Sequence, residues 1–189
     1  MALDLPEAHG RALESTRRYV AQVETGQWGD PTPDEEWTVR DLVNHIVEGN
    51  YWVTPLMGGK TIDEVGDRYD GDLLGDDPLA AYEQSAKQAD AAVRAPGALQ
   101  AACAVSYGPV PGEVYAGHRF IDVLIHGWDL AKATGQDTTL DPELVEACWA
   151  VVEPQKDPLA GSGAFGKGVE VPPGAGRQVQ LLAVLGRKE

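Results

Sequence analysis

The run Phe120-Ile121-Asp122-Val123-Leu124-Ile125-His126-Gly127-Trp128-Asp129-Leu130 constrains the fold more than any other part of this chain. It is apolar enough to be buried, yet it carries a carboxylate and an imidazole four residues apart. Four residues is about one helical turn, so Asp122 and His126 project from one face. His118 and Asp129 share that stripe, because steps of four, four and three residues at about 100° each return close to one direction. Polar groups on an inward-facing helix need partners. A divalent metal ion is one solution, with a missing ligand supplied by another helix, and a buried Asp–His pair that binds nothing is the other.

The rest of the chain predicts which helices could face this one. Leu5, Ala8, Ala12, Thr16, Tyr19 and Val23 recur at helical spacing and define a first helix, followed by a loop over residues 26–36 containing Gly29, Pro31 and Pro33. Thr38 and Asp41 form a capping-box pattern that starts a second helix, with Trp37 placed to pack on Leu42 and with His45 on its flank. The acidic stretch from Asp63 to Asp77 reads as an extended connection. Asp77-Pro78 then caps a third helix that ends at Pro96-Gly97. Gly108, Pro109, Pro111 and Gly112 read as a connection into the helix of the opening motif, which stops near Gly135. Asp141-Pro142 starts a fifth helix through about Val152, residues 153–176 wrap the surface with Val169-Glu170-Val171 as a strand-like piece, and a short helix from Arg177 to Leu185 ends at Gly186. The expectation is an all-α chain, an antiparallel bundle of four principal helices with short C-terminal additions. It forms one domain over 1–189, with the bundle at about 4–152 and the extension at about 153–189.

Charge narrows the partners. A formal net charge of -15 repels a phosphate backbone or an anionic membrane, so neither nucleic acid nor membrane is expected. With no basic, apolar leader and no run of about 18 apolar residues, a cytoplasmic location is expected. Cys103 and Cys148 lack any CxxC or Cys/His knuckle spacing, and read as reduced structural thiols. The five tryptophans read as core or interface packing.

If the second helix faces the motif helix, His45, Asp122 and His126 make three ligands and leave one coordination position open, the arrangement of a reactive centre rather than a structural one. Asp129, about one turn beyond His126, is placed to accept from an imidazole N–H and fix its tautomer. His118 could replace one of the three or lie at the helix start. His9 has no evident partner.

Pro31-Thr32-Pro33, then Trp37 to His45, resembles the start of the DinB-like superfamily in its actinobacterial branch, which groups with the metal-binding domain of mycothiol-dependent maleylpyruvate isomerase. The run Asp122 to Gly135 resembles the family's second motif. Phe165-Gly166 with Val169-Glu170-Val171-Pro172 and Leu181 to Arg187 resembles its C-terminal end. The resemblance implies a four-helix bundle with a divalent metal, zinc or nickel, held by residues that correspond to His45, Asp122 and His126. The isomerase carries Glu where this chain has Asp122, one methylene shorter. The resemblance also implies a low-molecular-weight thiol, mycothiol, as co-substrate. The isomerase's separate C-terminal substrate domain has no counterpart in this sequence, so the isomerisation itself is not expected. Two functions follow: a metal- and mycothiol-dependent transferase acting on small electrophiles, or a non-catalytic metal- or small-ligand-binding protein that could act as a homodimer. A bundle without metal, in which the histidines are internal hydrogen-bond partners, is the plainest alternative.

Overall fold

The computed structural model describes residues 3–34, 36–106, 108–155, 169–171 and 173–189. The chain packs into two compact units, Leu5–Asp137 and Met1–Asp4 with Thr138–Glu189. In the larger unit the helices are α1 (Leu5–Val20), α2 (Val39–Met57), α3 (Ile62–Val65), α4 (Pro78–Val93) and α5 (Gly112–Ala133). Helix α1 packs on α5 and α4, and α2 packs on α4 and α5. The starts follow the capping chemistry. Thr38 accepts from Asp41 N while the Asp41 carboxylate accepts from Thr38 N, and Asp77 accepts from Ala80 N ahead of Pro78. Each satisfies helix N–H groups that would otherwise lack partners.

The helices are joined by a core and by a few directed bonds. Val53, Leu56, Met57, Ala89, Val93, Cys103, Tyr115 and Ala116 form one apolar cluster drawn from α2, α4, α5 and the segment between them. Full burial of each aliphatic side chain stabilises by roughly 1.5–3 kcal/mol. The Thr16 hydroxyl donates to Val123 O at 3.0 Å. Gly127 permits this close approach of α1 to α5, since a Cβ there would fall on Thr16 Oγ1. The Tyr82 hydroxyl donates to Leu13 O at 2.9 Å, and Asn50 Nδ2 donates to Ser85 Oγ at 3.2 Å.

Two expectations are corrected here. The structure is predominantly helical but not purely so, because β1 (Ala102–Val105) and β2 (Gly108–Pro111) form an antiparallel hairpin that pairs Cys103 with Val110. Pro109 and Pro111 suggested a connection. They are two residues apart, so their missing N–H groups fall on the same side of a two-stranded ribbon, where no ladder bond is lost. The acidic connection also differs from an open tether. It begins with α3, started by a Thr61/Glu64 capping box, and its later part is held on α2. Arg40 Nη2 donates to the Asp72 carboxylate at 2.8 Å and to Gly75 O at 3.0 Å. Asn44 Nδ2 donates to Gly71 O at 3.0 Å while its Oδ1 accepts from Leu73 N at 2.8 Å.

In the smaller unit α6 (Pro142–Val152) packs on α7 (Arg177–Val184), and Arg177 lies 4.8 Å over the Trp149 ring. Val169 N donates to Ala183 O at 2.9 Å, but residues 169–171 form no strand. The expected motif residues Phe165, Gly166 and Pro172 lie outside the described residues. No helix among the described residues is long and apolar enough to cross a membrane.

Candidate metal centre

Helix α5 is buried along most of its length, and its packing against α2 brings the sequence-predicted trio together. His45 Nε2 stands 3.3 Å from Asp122 Oδ1, and His126 Nε2 stands 3.6 Å from the same oxygen. One ligand atom from each of the three residues lies within 4.8 Å of those of the other two. Among the described residues, His118 belongs to neither cluster that could hold a metal ion.

The other face of His126 is also organised. Its Nδ1 is 3.0 Å from Oδ2 of the fully buried Asp129 and 3.7 Å from Asp34 Oδ2. Carboxylates on that side favour a proton on Nδ1 and leave the Nε2 lone pair directed at Asp122, which is the tautomer a metal ligand needs. Asp34, His126 and Asp129 form a second convergent group, but it shares His126 Nδ1. Asp129 is thus where the one-turn spacing predicted, whereas nothing in the sequence pointed to Asp34.

Two further residues belong to the site. Trp37 lies against both imidazoles, with ring centroids 4.6 Å from His45 and 5.6 Å from His126. Its ring therefore borders the candidate centre, in addition to any structural packing expected of the tryptophans. Arg119, only 8% exposed, places Nη1 3.1 Å from Asp122 Oδ2. The pair is close enough for charge attraction but not aligned as a hydrogen bond, and Oδ2 has no hydrogen-bond partner among the described residues. Burial alone would raise the Asp122 pKa. The charge of Arg119, followed by the interactions with the neighbouring His126 and His45 imidazoles, outweighs it and holds the carboxyl well below the usual range. Arg119 sits three residues before Asp122, so helical spacing could have identified it. A cavity of about 300 Å³ opens beside His45, with Trp52, Tyr115, Val105, Ser106 and Arg119 in its lining.

The donor set fits a divalent cation. It comprises two neutral imidazole nitrogens and an ionised carboxylate oxygen, with the nitrogen of His126 aimed by Asp129. The two cysteines offer no rival centre: both are buried and unbridged, and burial pushes each thiol up, away from the reactive thiolate.

Known proteins resemble this chain over the segment that carries these residues. The profile of the mycothiol maleylpyruvate isomerase N-terminal domain matches residues 9–131. An uncharacterized protein of Mycobacterium tuberculosis, found in two strains, is 41% identical over 152 residues, covering 78% of this chain and 79% of the relative. Crystal structures of the mycothiol-dependent maleylpyruvate isomerase and of a histidine-to-alanine mutant of it superpose with a TM-score of 0.62. They share 20% identity and cover 88% of this chain and 75% of theirs, a likeness of fold. The chain belongs to the mycothiol maleylpyruvate isomerase N-terminal domain family.

Proposed function

We propose that this protein binds one divalent cation through His45, Asp122 and His126, and that it uses mycothiol or a related low-molecular-weight thiol to modify small electrophiles. In this reading α1, α2, α4 and α5 form an antiparallel DinB-like four-helix bundle whose interior end carries the site, and zinc or nickel is the native ion. The observation that carries the reading is the convergence of His45 Nε2, Asp122 Oδ1 and His126 Nε2 beside a cavity of about 300 Å³. A cation there supplies Lewis acidity and stabilises thiolate over thiol.

The chain's own groups account for the remainder. Asp129 keeps the His126 proton on Nδ1. Trp37 covers the imidazole pair and limits access of water from its side. Trp52, Tyr115 and Val105 give the cavity an apolar wall for the body of a small organic molecule. In the net reaction the S–H bond breaks and a C–S bond forms to the electrophilic carbon as the bond from that carbon to a leaving group breaks. The leaving group departs with the bonding electron pair, and the thiol proton goes to it or to solvent.

The test is metal content by mass spectrometry, followed by loss of free thiol with an electrophile. The parent should hold about one ion per chain and consume thiol, and a His45→Ala, His126→Ala variant should do neither. Thiol loss should survive in a Cys103→Ala, Cys148→Ala variant. Metal retained with no turnover for any thiol would instead establish the binding-protein reading.

A further inference from the structure

Immediately beside the candidate ligand layer lies a second layer built from the same two helices. On α2, Gly49 is one turn beyond His45, and on α5 Arg119 is about one turn before Asp122. The helices therefore run antiparallel here, with His45 opposite Asp122 and His126, and with Gly49 opposite Arg119. The guanidinium rests on the α2 backbone: a Cβ built on Gly49 would fall on Nη1, Nη2 and Cζ of Arg119. Only glycine leaves that space. From this seat Nη1 reaches Asp122 Oδ2 at 3.1 Å, while Oδ1 of the same carboxylate faces His45 and His126.

We propose that Gly49 and Arg119 are a positioning pair for Asp122. The notch at Gly49 fixes where the guanidinium sits, and its charge, with Nη1 3.1 Å from Oδ2, draws that oxygen to its side so that Oδ1 points between the two imidazoles. An Asp side chain has one rotatable carbon fewer than Glu, so it reaches the imidazoles only if the helices are close and its carboxylate is turned correctly. The Gly49 notch supplies the first condition and Arg119 the second. Arg119 is also buried with Nε and Nη2 lacking hydrogen-bond partners among the described residues. A structural role alone would not favour such a costly placement. The role assigned to the pair rests on the metal reading above, whereas the orientation of Asp122 does not.

A cation is repelled by the arginine's charge, so a useful variant must keep that charge while disturbing the geometry. Gly49→Ala displaces the guanidinium, and Arg119→Lys keeps the charge but loses the planar fork. Zinc affinity of the full chain is measured by chelator competition, and site geometry by the visible spectrum of the cobalt-loaded protein. Each variant should weaken zinc binding by about ten- to a hundredfold, as loss of groups that orient ligands does, and should shift the cobalt bands. Zinc affinity within about threefold of the parent and an unchanged cobalt spectrum in both would overturn the proposal; such a result lies below the range expected for orienting groups. If Gly49→Ala does not fold, Arg119→Lys decides. If the parent takes up no zinc, the metal reading fails by itself. The pair is then judged on metal-free protein by the ring-nitrogen NMR signals of His45 at fixed pH: a shift in Arg119→Lys supports it, and identical spectra refute it.

Discussion

Replacing His9 with Met should flatten the acid limb of the stability curve. His9 lies fully buried on α1, and neither ring nitrogen has a hydrogen-bond partner among the described residues. Burial first, and the charges of Arg119 and Arg94 after it, lower its pKa from 6.5 to about 3. The sign follows from which state takes the proton. Between those two values the unfolded chain protonates at His9 and the folded chain does not, so the folded state is at full advantage above 6.5 and loses it as pH falls. The slope is about 1.4 kcal/mol per pH unit, which integrates to about 2 kcal/mol between pH 7 and pH 5. Urea unfolding of the metal-free parent and of His9→Met at both pH values gives the double difference, in which the other titrating groups cancel. The parent should lose about 2 kcal/mol more than the variant. Parallel losses, agreeing within the roughly 10–15% uncertainty of extrapolation, would mean that His9 is protonated or solvated in the fold and that the reasoning is wrong.

Three other perturbations read different parts of the molecule. Asp129→Asn removes the carboxylate that orients His126, and should weaken zinc binding by about ten- to a hundredfold in chelator competition with a small change in metal-free melting temperature. Gly127→Ala puts a methyl group onto Thr16 Oγ1 and breaks the Thr16 to Val123 bond, and should cost about 1–3 kcal/mol in denaturant unfolding. Thr38→Ala removes one half of the α2 capping box, and should cost about 1 kcal/mol by the same measurement while leaving cobalt-site spectra unchanged.

The helix starts were legible because capping is local chemistry: Thr38, Asp77 and Asp141 each do what their neighbours in sequence require. The pairing of Asp122 with His126 was legible for the same reason, since helical spacing alone puts them on one face. Adding His45 required an assumption about which helices meet, and the α2–α5 contact supplies it. What escaped were features decided by tertiary approach. The hairpin's prolines read as a loop because edge tolerance depends on the absence of a third strand. Trp37 was read as a packing residue because nothing in its neighbours reveals that the imidazoles of His45 and His126 lie against it. Arg119 carried a spacing signal, but its seat depends on Gly49, a residue seventy positions earlier whose contribution is the lack of a side chain.

The acidic segment after α3 illustrates how composition and accessibility can part. Glycine-containing, charged stretches are the usual targets of proteolytic nicking, yet a protease must first draw several residues out of the fold into its own cleft. Arg40 and Asn44 hold Gly71 O, Leu73 N and Gly75 O of this segment, and those bonds must break before the backbone can enter a protease cleft. Cleavage there becomes a clock for detachment from α2 rather than a measure of surface exposure. The polar outer side of the helix that carries His45 thus acts as a clasp for its own connection.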